Sequence, residues 1–115
     1  MNPLEHHEII QDLENRLLKR EMIVFKYANF FTLDLNGENN DGEIDIYAIN
    51  PRRNELIAIE VKRSRNWKTR RKACSQLAKE LLFLTGKFPD FKIIMMHAYG
   101  EPSEKRKYAM ELYLP

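Results

Sequence analysis

The sequence predicts an α/β fold, a mixed β-sheet with flanking helices, in the element order α-β-β-β-α-β-β. Three observations lead there. Gly42–Ile49 and Glu55–Lys62 are rich in β-branched and aromatic residues, and Asn-Pro-Arg-Arg-Asn between them is turn chemistry, so the pair reads as a hairpin. Two other stretches, one near the N-terminus and one from about Thr69 to Thr85, repeat apolar residues at helical spacing. Finally, Phe91–Ala98 is apolar on both parities, which suits a central parallel strand reached by a right-handed helical crossover.

The first helix has a start signal at Asn2, Pro3 and Glu5, in N-cap, first-position and capping-box places, and runs to about Arg20. His6, Ile9, Ile10, Leu13 and Leu17 share one face, with Glu14 and Leu18 at its margin. His6, inside an apolar stripe, is either a core histidine or a site residue; His7 points away from the stripe. Met22–Leu35 reads as a long strand with Ile23, Phe25, Tyr27, Phe31, Leu33 and Leu35 on one parity. Asn36–Gly42 is a polar connection whose acids, Glu38 and Asp41, miss the spacing of an EF-hand loop.

In the second hairpin arm Leu56, Ala58, Glu60 and Lys62 share one face, and Ile57, Ile59 and Val61 take the other. A four-residue loop pairs Asn50 with Glu55, and counting back places Asp45 opposite Glu60 and Glu43 opposite Lys62. Arg63–Lys72 is the densest basic run. The helix after it buries Leu77, Leu81 and Leu84, with Cys74, Ala78 and Leu82 nearby, and is closed by Gly86 and Pro89. Beyond the Phe91–Ala98 strand, whose end carries a structural His97, Lys107–Leu114 is an antiparallel edge strand. Glu104–Lys107 adds a second basic patch.

The chain has 115 residues, a length that fits one domain over residues 1–115. Its net charge of +2 does not by itself announce a nucleic-acid partner, so the clustering of cations carries that argument. A single cysteine, Cys74, cannot form an internal disulfide, which fits a reducing cytoplasm. No apolar run reaches membrane-spanning length and no signal peptide is evident at the N-terminus, so no membrane partner is expected.

Two carboxylates facing each other across a strand pair repel. Apolar strands that keep such a pair need a cation for them to share, and hard oxygen ligands suit Mg²⁺ or Mn²⁺. The spacing of Asp45 from Glu60-Val61-Lys62 resembles the D…ExK core of the PD-(D/E)xK nuclease superfamily, with Ile44 where the motif's proline would precede the acid. The element order agrees with that superfamily's core, and the resemblance covers nearly the whole chain.

The resemblance implies a restriction-endonuclease-like fold and Mg²⁺- or Mn²⁺-dependent hydrolysis of DNA phosphodiester bonds. Asp45, Glu60 and the Val61 carbonyl would hold the metal, and Lys62 would orient or activate the nucleophile. Members often add a first-helix residue, a Glu in archaeal Holliday-junction resolvases and a His in the RecB-like branch. His6 matches the latter, with Glu5 and Glu14 as alternatives. Gln76 matches half of a RecB-like helical motif, but Glu80 stands where that motif has Tyr. Arg63, Arg65, Lys68, Arg70 and Arg71 are the expected phosphate contacts, and Trp67 either stacks on bases or covers the helix end. Three functions compete: a minimal nuclease in a cytoplasm (the host's, if viral), a junction resolvase acting as a homodimer, and a nuclease-fold nucleic-acid-binding or assembly module that does not cleave.

Overall fold

A computed structural model describes residues 4–33, 39–63, 66–100 and 108–113. Its elements are α1 (His6–Lys19), β1 (Ile23–Leu33), β2 (Asn39–Asn50), β3 (Glu55–Lys62), α2 (Trp67–Lys87), β4 (Lys92–Gly100) and β5 (Tyr108–Leu112). The five strands form one mixed sheet in sequence order. All neighbours are antiparallel except β3 and β4, which α2 joins as a parallel pair.

Alternation along β3 puts the two helices on opposite faces. Ile59 and Val61 pack with Ile9, Ile10, Leu13 and Leu17 of α1. Leu56 and Ala58 pack with Leu77 and Leu84 of α2. Burying each such Leu or Ile contributes about 1.5–3 kcal/mol, so β3 is the strand both cores hold in place.

Several element bounds differ from expectation. Helix α1 begins after Glu5, whose N–H donates to the Glu8 carboxylate at 3.0 Å; the expected Asn2–Pro3 start lies outside the described residues. Helix α2 starts earlier, at Trp67, because the Asn66 side chain accepts the Thr69 N–H at 2.9 Å. Gly86 lies within that helix rather than closing it, and the last turn is tied by Phe88 N–H to Leu84. The buried stripe of α2 is Ala73, Leu77, Glu80 and Leu84, while Cys74, Ala78 and Leu82 are exposed. Strand β2 begins at Asn39, so Asn39–Gly42 is strand and not connection.

Strand β1 is an edge, and its odd-numbered apolar residues Ile23, Phe25, Tyr27 and Phe31 stay exposed. Val24 packs toward α1, whereas Ala28 and Phe30 pack toward α2. Residues of one parity thus change face part-way along the strand. The change falls at Tyr27, which adopts φ 52 and drops out of a register that pairs Lys26 with Ile46 and Ala28 with Ile44. A tyrosine held there costs on the order of 1 kcal/mol or more. Beyond the twist Phe30 lies over Gly42, where any Cβ would overlap its ring.

Candidate functional site

Tyr27 stands opposite Asp45, and the disturbance continues on the other side of β2. The β2–β3 pairing runs from Asn50–Glu55 to Ile46–Ile59, in the expected register, and stops there. One step further the register would set Asp45 against Glu60. Instead the Asp45 carboxylate itself accepts the Val61 N–H, at 2.8 Å through Oδ2. His6, in the first turn of α1, brings Nε2 to 3.3 Å from the same oxygen. The two strands therefore part at the two acids, and a side chain replaces a ladder bond.

Asp45 and Glu60 are 6% and 4% exposed. Lys62, two residues on and on the same face, sets Nζ 3.3 Å from Glu60 Oε1, while Glu60 Oε2 is buried without a hydrogen-bond partner. Above them α2 supplies Glu80, fully buried, neither of whose carboxylate oxygens has a partner. Burial first, then the Asp45 charge, push the Glu60 carboxyl up to about 7. Burial and then the Glu60 charge push Glu80 up to about 10. Two ionised carboxylates offer each other no donor. A proton on Glu80 changes that, because the acid can then donate to Glu60.

The polar row continues across the sheet. Glu60 pairs in register with His97 on β4, and His97 with Glu111 on β5. His97 is buried, with Nδ1 3.4 Å from Glu111 Oε1 and Nε2 unpartnered. Burial lowers its pKa, against the pull of Glu111. Arg70 of α2 meets the same Glu111 oxygen at 3.0 Å.

The other expected site residues divide. Glu14 is held by Lys26 at 3.1 Å, and Glu5 by Arg63 at 3.1 Å, so His6 is the α1 side chain that reaches Asp45. Gln76 points its amide at the Glu43 carbonyl, 3.5 Å away and next to Gly42. Arg63 and Arg70 have carboxylate partners in the protein, and Arg65 lies outside the described residues, as does the patch at Glu104–Lys107. Trp67, Lys68 and Arg71 join Lys72 and Ser75 around an open cavity of about 360 Å³. These residues sit on α2 and not on a loop, and Trp67 is 67% exposed, so it covers little of the helix end. The first turn of α2 has no acid of its own to offset the positive end of the helix dipole.

Glu80 is the member of this cluster that the sequence reading did not single out as a site residue. Its signal was present, since it falls between Leu77 and Leu84 on an apolar stripe. Among the described residues no three His, Cys, Asp or Glu side chains are already arranged to hold a metal ion. The chemistry of the donors nevertheless fits one, being hard carboxylate oxygens, buried and partly without partners. Also among the described residues, no helix is long and apolar enough to cross a membrane. Comparison with models of known protein families, with curated proteins and with solved structures found no match for the chain.

Proposed function

We propose that the chain is a divalent-metal-dependent nuclease of restriction-endonuclease-like fold that hydrolyses DNA phosphodiester bonds. One observation carries the reading: two buried carboxylates, Asp45 and Glu60, meet where β2 and β3 part, with the Lys62 ammonium 3.3 Å from one of them. Apolar strands that end in such a pair lose stability unless a cation offsets the repulsion. The element order also agrees with the one that the D…ExK resemblance implies.

Each side chain has a task in this reading. Asp45 is oriented by the Val61 N–H and by His6, so its carboxylate is held in place before any ligand arrives. Glu60 presents Oε2 free of protein partners. Asp45 and Glu60, with the Val61 carbonyl and His6 beside them, would hold Mg²⁺ or Mn²⁺. A cation bound there supplies charge neutralisation at phosphorus and acidifies water. Lys62 orients the attacking water and meets negative charge as it develops. Lys68, Arg71 and Lys72 with Trp67 form a basic, aromatic face for the DNA backbone, about 12–20 Å along α2 from Glu80 at 1.5 Å per residue.

A second reading, a nuclease-fold nucleic-acid-binding module without cleavage, draws on the absence of a ready-made ligand triad among the described residues. One experiment separates the two. The protein is incubated with Mn²⁺ or Mg²⁺ and linear duplex, single-stranded, supercoiled and four-way-junction DNA, and its melting is followed with and without metal. Metal-dependent cleavage with a raised Tm is the expected result. Binding to every substrate with no cleavage of any would leave the module.

A further inference from the structure

Glu80 lies outside the D…ExK pattern, yet it is the most deeply buried charged side chain among the described residues. It sits mid-helix, where the backbone N–H groups bond within α2 and none is left over for a carboxylate. The stripe it interrupts, Ala73–Leu77–Leu84, is apolar. A leucine at position 80 would continue that stripe and gain apolar burial, whereas a buried polar group without a partner costs stability. A purely structural role thus explains nothing about the choice of residue.

We propose that Glu80 is a third carboxylate of the Asp45–Glu60 cation site, delivered from α2. The inference rests on the reading of Asp45 and Glu60 as metal-binding residues, and deepens it. Two features support it. Both carboxylate oxygens of Glu80 are buried without a hydrogen-bond partner. Lys62, the nearest cation acting on the pair, makes its close contact with Glu60 and not with Glu80. The charges also balance. Asp45, Glu60 and Glu80 when ionised carry three negative charges against one positive on Lys62, a remainder of two that one divalent cation neutralises.

The test reads metal binding and not cleavage. Mn²⁺ is titrated into wild type, Asp45→Asn and Glu80→Gln at fixed pH and salt, and free Mn²⁺ is followed by electron paramagnetic resonance. Glu80→Gln keeps the shape of the side chain, so it should fold and still bind Mn²⁺ about tenfold or more weakly than wild type. Glu80→Gln with wild-type affinity, beside a defective Asp45→Asn, would overturn the third-carboxylate proposal and leave the site otherwise intact. Wild-type protein that takes up no Mn²⁺ would instead overturn the metal reading of Asp45 and Glu60, and this inference with it. Should Glu80→Gln fail to fold, the carboxyl carbon resonances of wild-type protein are followed as diamagnetic Mg²⁺ is added. A Glu80 resonance that shifts in step with those of Asp45 and Glu60 supports the proposal, and one that stays put while they shift sinks it.

Discussion

The two ends of the β2–β3 hairpin are built on opposite terms. At the turn, Asn50 pairs with Glu55 and its side chain accepts the Arg52 N–H at 3.1 Å. Asn54 takes φ 51, a conformation that asparagine tolerates better than most residues. The register then runs unbroken past Leu56 and Ala58, both fully buried between apolar neighbours. At the far end the ladder stops, Tyr27 is twisted opposite Asp45, and Asp45, Glu60 and Glu80 are buried beside one another. One end stores stability and the other spends it. A strand that does both is a scaffold carrying a strained polar site, and the difference can be broken or sharpened by substitution at either end.

The largest effect is expected at the turn end. Leu56→Ala should lower stability by about 2–5 kcal/mol, since a fully buried leucine is removed, while any rise in Tm on adding Mn²⁺ persists. Denaturant melts with and without metal measure both. A loss below about 1 kcal/mol would mean that this end is not the anchor the packing describes.

On the proposed nuclease reading, Lys62→Ala at the other end should slow cleavage by about a hundredfold, some 2.7 kcal/mol in the barrier, with DNA affinity nearly unchanged. Single-turnover kinetics beside a gel-shift titration read the two quantities separately. Equal losses in both would make Lys62 a phosphate-binding cation and no more.

The pH response is next in size. Glu60 and Glu80 are raised in the folded chain, so it holds more protons than the unfolded chain above the ordinary carboxylate pKa of about 4.5. Metal-free stability should therefore fall as pH rises from about 5 toward 7, where Glu60 ionises, and fall further as pH approaches the range of Glu80. Each group contributes at most about 1.4 kcal/mol per pH unit. His97 opposes this trend, because its lowered pKa makes acid destabilising below about 6.5. Asp45 and Lys62 also face the pair, the first raising and the second lowering both carboxyl pKa values. Melting in chelator across about pH 5–8 tests the sign, and Glu80→Gln should flatten the curve. A Tm that climbs steadily over that range would contradict the buried-acid picture.

The smallest effect concerns the surface of α2. Neutralising Lys68, Arg71 and Lys72 should flatten the slope of log affinity against log salt by about 0.9 for each duplex phosphate left without its cation. Arg63 and Arg70, already paired with Glu5 and Glu111, should contribute less. An unchanged slope in the triple variant would make the cations a solvated helix face.

Much of this molecule was legible in its residues, and for a definite reason. Period-two alternation and a turn of known length set the hairpin register, so the approach of Asp45 to Glu60 followed by counting from Asn50 and Glu55. The same kind of local pattern marked both helices and the parallel strand β4, because each buries a face or faces written into its own sequence. Tertiary structure alone decided what meets across elements. Periodicity shows that Glu80 lies on a buried stripe but not that Glu60 lies beneath it, nor that His97 and Glu111 extend the row across β4 and β5. It gave no warning that Tyr27 would turn the strand and exchange its faces, since that twist depends on how β1 and β2 reach both helices at once. Nor could it tell that Arg63 and Arg70 would be taken by carboxylates on α1 and β5 while Lys68, Arg71 and Lys72 stayed open. A chain's own repeat determines which side of an element is buried; the partner it finds there depends on packing between segments far apart in sequence, and the chemistry of this site lies in those partners.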